Sequence, residues 1–178
     1  NQSVNVDIDF VDSVVSGSSD TINLVVESHT DGDVTIEGVE TVNITSQGFV
    51  TNVLDINDTG TSLTSVTVTG SANLTLNDTT ALEAEVTTVN ASALTGNLNL
   101  TATNAAVMTI TGGSGDDTIV LGDTYVSTDT VNGGAGTGDV LAVGEDELVA
   151  ITTTALAANV TNIERIRVTE ALGGGDNV

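Results

Sequence analysis

Apolar residues recur along this chain in a fixed template: apolar, two residues, apolar, one residue, apolar or small. Copies stand at Val39-Glu40-Thr41-Val42-Asn43-Ile44, Leu63-Thr64-Ser65-Val66-Thr67-Val68 and Val86-Thr87-Thr88-Val89-Asn90-Ala91. A weaker one follows at Val107-Met108-Thr109-Ile110-Thr111, and the starts lie 24, 23 and 21 residues apart. A second series of short alternating runs is interleaved with the first: Val53–Ile56, Leu74–Leu76, Leu98–Leu100, Ile119–Leu121 and Val140–Val143. Two strand series sharing one period are what a solenoid produces, each period being one coil with one strand in each of two facing sheets. Gly70, Gly96 and Gly113 fall in the turn after the first strand, where a reversing chain often needs positive φ. The expected fold is all-β, a parallel β-solenoid (β-helix or β-roll) with the usual right-handed crossover. A β-sandwich of antiparallel hairpins is the competing arrangement, but hairpins give no reason for alternate strands to repeat in sequence.

Three segments follow. Residues 1–32 read as an N-terminal β cap or the end of a preceding module, with alternation at Val4, Val6, Ile8 and Phe10 and again at Ile22, Leu24 and Val26. Residues 33–143 are the solenoid. Residues 144–178 are an excursion, with helical character between Glu145 and Ala158, and then the start of a further β module. That last expectation comes from an echo: Gly38-Val39-Glu40-Thr41-Val42-Asn43-Ile44-Thr45 is answered 124 residues later by Asn162-Ile163-Glu164-Arg165-Ile166-Arg167-Val168-Thr169. The Asp-led strands upstream of each, at Asp20 and Asp139, are 119 apart.

Composition sharpens the picture. Thr (31) and Val (26) make up about a third of the 178 residues, and β-branched side chains suit pleated strands. Two Lys+Arg against 25 Asp+Glu give a net charge of −23, which leaves nothing to displace counterions from nucleic acid or to meet an anionic membrane. No run of apolar residues is long enough to insert in a bilayer, and no basic and apolar leader opens the sequence. With no Cys and only His29, thiolate and His-rich metal centres are excluded, and a His-based triad is improbable. Any metal is therefore a hard, oxygen-bound one. His29 itself reads as an exposed turn residue.

The chemistry concentrates in one stretch. Gly112-Gly113-Ser114-Gly115-Asp116-Asp117-Thr118-Ile119-Val120 fits the nonapeptide G-G-x-G-x-D-x-U-x at every specified position. Its glycines allow a turn whose carbonyls point inward, and Asp117 adds a carboxylate. Ca²⁺ takes six to eight oxygens, so one turn supplies half a shell. Gly133-Gly134-Ala135-Gly136-Thr137-Gly138-Asp139 is the expected partner, stacked on the same side with one inserted residue. Asp129-Thr130-Val131 marks the half-coil on the opposite side, where any ion would be weaker or would recruit Asp123. The metal-ligating candidates are thus Gly112, Gly113, Ser114, Gly115, Asp117, Asp123, Asp129, Gly133, Gly134, Ala135, Gly136 and Asp139.

Over Gly112 to Leu141 the chain resembles the repeats-in-toxin (RTX) calcium-binding proteins, and its Thr/Val-rich, Cys-free coils resemble the RTX-bearing surface-layer (S-layer) proteins of Gram-negative bacteria. The Asp117, Asp129 and Asp139 spacings of 12 and 10 depart from a strict nine. What the resemblance implies is a non-enzymatic, Ca²⁺-stabilised module of an exported cell-surface protein without a cleaved N-terminal signal. It would self-associate into a lattice, with cell-surface polysaccharide held by a region outside this chain. A calcium-stiffened adhesin or biofilm-matrix stalk is the alternative, and a calcium-dependent polysaccharide lyase a remote one, since only Arg165 and Arg167 could stabilise charge.

Weaker features are Asn57-Asp58-Thr59 and Asn77-Asp78-Thr79, 20 residues apart and expected to stack Asn on Asn and Asp on Asp, and eight Asn-x-Ser/Thr sequons. The sequons are what alternating polar faces produce without glycans. Glu83 and Glu85 form a carboxylate pair with no aromatic sugar platform beside it.

Overall fold

The computed structural model describes residues 6–8, 15, 17–77, 79–151 and 156–169. Fifteen strands are present among them: β1 Val6–Ile8, β2 Thr21–Glu27, β3 Asp33–Ile36, β4 Thr41–Gln47, β5 Asn52–Asp58, β6 Ser65–Gly70, β7 Leu74–Leu76, β8 Thr88–Leu94, β9 Leu98–Thr101, β10 Thr109–Thr111, β11 Thr118–Gly122, β12 Thr130–Asn132, β13 Val140–Val143, β14 Val160–Thr161 and β15 Arg165–Val168. Odd strands form one sheet in the order β1-β3-β5-β7-β9-β11-β13-β15, even strands the other from β14 down to β2, and every pairing is parallel. This is a two-sheet parallel β-solenoid of about six turns.

The two sequence series are the two sheets: the first supplies β4, β6, β8 and β10, the second β5, β7, β9, β11 and β13. Alternation sends one side chain of each pair inward, and stacking in register turns those positions into columns. In the even sheet Val42, Val66, Val89, Ile110 and Val131 stand over one another, and in the odd sheet Leu54, Leu76, Leu100, Ile119 and Leu141 do so. All ten are fully buried. The core is two aliphatic walls in contact, so aromatic volume has little place in it.

The sheets run past both ends of the 33–143 span. β2 pairs with β4 over seven residues, and β14 and β15 extend the two sheets beyond β12 and β13. Between β13 and β14 the chain leaves the coil through the helices α1 Glu145–Ile151 and α2 Leu156–Asn159, in the stretch whose sequence has helical character. Val4, Phe10 and Asp78 lie outside the described residues.

Of the three turn glycines, only Gly70 has positive φ (114°). Gly96 and Gly113 are required by close approach instead: a Cβ at Gly96 would stand 2.6 Å from the Ala72 carbonyl carbon, and one at Gly113 3.1 Å from the Ala91 oxygen. Adjacent turns are packed backbone on backbone.

Candidate metal centre in the stacked turns

From β5 onward one position at or just before the start of each odd strand forms a column, Asn52, Leu74, Leu98, Asp117, Asp139 and Glu164, which faces inward in every coil but the last. The apolar wall becomes acidic after Leu98. Asp117 and Asp139 are 1 % and 0 % exposed, whereas Glu164 on the last coil is exposed.

Each acid serves the coil before it. The Asp117 carboxylate accepts the Leu98 N–H (2.7 Å) through Oδ1 and the Gly113 N–H (2.6 Å) through Oδ2. Asp139 Oδ1 accepts the Asp117 N–H (2.7 Å), and Glu164 Oε2 the Asp139 N–H (2.8 Å). These amides have no ladder partner at the strand start, and a buried unpaired N–H costs about 1–3 kcal/mol. The other edge repeats the device: Asp129 Oδ1 accepts from Met108 N (2.8 Å) and Glu40 Oε2 from Asp20 N (2.6 Å).

The expected stacking of the two glycine turns is present. Ala135 N donates to Gly113 O (2.9 Å), and Gly112 N to Asn132 O (2.8 Å). Gly134, with φ of 107°, lies directly over Gly113, and Ser114 and Ala135 form the exposed outer tips. A Cβ at Gly136 would fall among the Gly115 carbonyl and the two Asp139 carboxylate oxygens, 2.7 and 2.9 Å away. A Cβ at Gly112 would meet the Gly133 carbonyl and, at 2.5 Å, Asp117 Oδ2. Oxygens thus crowd the cradles that only glycine leaves open.

The electrostatics are unbalanced. Asp139 Oδ2 is buried and has no hydrogen-bond partner. Burial pushes the Asp117 carboxyl above the ordinary aspartate range; the Leu98 and Gly113 amides pull it down, and Asp139 and Asp116 push it further up. Burial does the same to Asp139, with the Asp117 amide opposing and Glu164 and Asp116 reinforcing. Buried carboxylates held only by amide dipoles carry uncompensated charge.

The opposite side is different. Asp129 is buried (1 %) and its second oxygen accepts the Val126 N–H (2.8 Å), so, like Asp117 and unlike Asp139, it has both oxygens engaged within the fold. Asp123 is exposed and does not join Asp129; its carboxylate and that of Glu147 converge on Gly144 instead. The glycines that would close a second cradle are missing at Thr124 to Thr128, as the sequence indicates.

Several participants were not singled out from the sequence. Glu164 is one, although the echo contains its signal: Glu40 and Glu164 occupy equivalent places and make the same contact. An outer rung is another. Asn73 Oδ1 accepts from Asn97 N (2.9 Å), Asn97 Oδ1 from Asp116 N (3.0 Å), and Asp116 Oδ1 from Thr137 N (3.0 Å). The Asn57/Asn77 stack is corrected. Register sets Asn77 beside Asp55, and it clasps Ile56 through both its N–H (3.3 Å) and its carbonyl (3.1 Å). Asp58 caps its own turn by accepting the Gly60, Ser62 and Leu63 amides, each at 2.9 Å. His29 is half-buried rather than exposed, because its backbone is tied to Asn52 Oδ1 (2.9 Å) and Val53 N (2.7 Å).

Among the described residues no three His, Cys, Asp or Glu side chains converge as a metal-ligand group, and no helix is long and apolar enough to cross a membrane. A cation in the stacked turns would therefore be held by backbone carbonyls with one or two carboxylates. No protein-family model, no curated protein and no solved structure matches this chain.

Proposed function

We propose that this chain is a calcium-stabilised, non-enzymatic structural module of an exported bacterial surface protein of the S-layer kind. One observation carries the reading: the buried, unpartnered Oδ2 of Asp139, set against Gly133 and Gly136 in a turn that stacks on the Gly112–Gly115 turn, with Asp117 one coil away. Ca²⁺ accepts mixed carbonyl and carboxylate oxygens at about 2.3–2.6 Å, which suits a carbonyl-rich cradle better than Mg²⁺ with its stricter octahedron. Asp139 and Asp117, with carbonyls of the Gly112–Gly115 and Gly133–Gly136 turns, are the residues that would hold it. The ion would supply the positive charge that Asp116, Asp117, Asp139 and Glu164 lack.

Function follows from linkage. An ion that binds the folded coils and not the loose chain stabilises the fold in proportion to its concentration, so the module would be loose before export and ordered outside the cell. Neutralising part of the −23 charge also lowers repulsion between copies, which favours a lattice.

A Ca²⁺ titration of the EDTA-treated chain tests this, followed by far-UV circular dichroism and light scattering with Mg²⁺ as control. Ordered β structure and large particles on Ca²⁺ addition alone are the expected result. Ordering without growth would favour the adhesin stalk, and a chain folded in EDTA that ignores Ca²⁺ would sink the proposal.

A further inference from the structure

The outer face of the even sheet differs from the rest of the molecule. Its first outward rank is Thr21, Thr41, Ser65, Thr88, Thr109 and Thr130, one hydroxyl per coil in strict register over six coils. The second rank, two residues along each strand, is Asn23, Asn43, Thr67, Asn90, Thr111 and Asn132, continued by Thr161. Five of the six first-rank residues carry a methyl beside the hydroxyl. Within the second rank Asn43 Nδ2 donates to Asn23 Oδ1 (2.9 Å), which holds the amides in line.

Charge is sparse on this face. Glu27, at the end of β2, is the sole charged residue in the seven even strands, in a chain with 25 acidic residues. On the odd strands Asp33, Arg165 and Arg167 face outward, whereas Asp55 and Asp58 are buried. Strand propensity explains threonine on either sheet, but not an unbroken rank of it: the matching outward column of the odd sheet reads Val53, Thr75, Asn99, Thr118, Val140 and Arg165.

We infer that this face binds ice. Parallel strands repeat at about 4.8 Å and residues i and i+2 lie about 6.6 Å apart along a strand, so the two ranks form a rectangular grid about 24 Å long. Both repeats lie close to those of the oxygen lattice on a prism face of hexagonal ice. The hydroxyls and amides continue a hydrogen-bonded water layer in both directions, and the methyls fill the openings between those waters. A carboxylate would hold a hydration shell of its own and break the layer. The ligand, a neutral hydrogen-bonding lattice, thus matches a face that is neutral, hydrogen-bonding and periodic.

The test uses the whole chain in Ca²⁺-containing buffer, with circular dichroism confirming the fold of each variant. Thermal hysteresis, the shape of single ice crystals and uptake into a growing ice hemisphere are read for the parent, Thr88→Lys, Thr109→Lys and the odd-face control Asn99→Lys. Hysteresis and faceted crystals in the parent and the control, lost to the buffer baseline in both threonine variants, are expected. A folded parent that shows no hysteresis and is excluded from the ice overturns the inference. So do particles in light scattering that Thr88→Lys dissolves, which would make the face an interface between copies. Neither overturning result bears on Ca²⁺ binding, which is read separately by the titration above.

Discussion

Replacing Asp139 with Asn separates the two roles this side chain holds. Its Oδ1 accepts the Asp117 N–H, and an amide oxygen can do the same. Its Oδ2 is buried without a partner, and there the amide substitutes a neutral group for uncompensated charge. Since burial raises this carboxyl's pKa, the ionised form is a cost to the metal-free fold at neutral pH. The Asp139→Asn variant in EDTA is therefore expected to be at least as stable as the parent. With Ca²⁺ the order reverses, because the variant has lost a ligand. At a free Ca²⁺ of 100 times Kd, binding stabilises the parent by about 2.7 kcal/mol. For a chain of this length that corresponds to a rise in Tm of roughly 5–11 °C. The assay is thermal unfolding by circular dichroism with EDTA and with Ca²⁺. The reasoning is refuted if Asp139→Asn keeps the full Ca²⁺-induced rise, or if in EDTA it loses more than the ~1 kcal/mol a single hydrogen bond contributes.

Three further outcomes are expected. Asp117→Asn weakens Ca²⁺ binding in calorimetry more than Asp129→Asn, because Asp117 has the carboxylates of Asp116 and Asp139 as neighbours while Asp123 does not join Asp129; equal effects would undo the ranking of the two sides. Gly134→Ala destabilises the fold by at least the ~1–3 kcal/mol of a strained backbone, since φ is 107° and the Cβ would run into the Gly113 carbonyl; urea unfolding at unchanged activity of Ca²⁺ measures it. The metal-free chain gains stability as pH falls from 7 toward the ordinary aspartate value of about 4, the reverse of common acid denaturation. Asp117 and Asp139 have raised folded-state pKa values, so the native state binds more protons than the unfolded one across that window, and stability is lost as pH rises through it. An EDTA-treated chain whose Tm falls steadily from pH 7 to pH 5 would contradict this.

Much of the coil was legible because a solenoid repeats its constraints. Val42, Val66 and Val89 face the same core from successive coils, so the alternation that marks one strand marks the next a coil later. β3 was not legible: four residues led by an Asp carry little signal, and its pairing with the C-terminal half of β5, while β7 takes the other half, is set by tertiary stacking. The same stagger put Asn77 over Asp55 rather than Asn57. The long echo was legible as a pattern but not as a place. Thr21 pairs with Thr41 in the even sheet and the equivalent Val140 with Arg165 in the odd one, so the second copy makes the same contacts on the opposite wall.

At the site, the nonapeptide gave the turns and their partner, because glycine spacing is dictated by backbone packing within one coil. The amide-capping role of Asp117, Asp139 and Glu164 was not visible, since it depends on which residue of the preceding coil ends up underneath. Nor could Gly96 and Gly113 be told apart from Gly70: close approach and positive φ both select glycine, and only the stacked backbone separates them.

The central claim is that a cation sits between the turns at Gly112–Asp117 and Gly133–Asp139. Crystals grown with Ca²⁺ and measured for anomalous scattering address it most directly. The expected result is a peak within about 2.3–2.6 Å of Asp139 Oδ2, ringed by turn carbonyls. An ordered Asp139 carboxylate in crystals saturated with Ca²⁺, holding the Asp117 amide and no ion, would contradict the account.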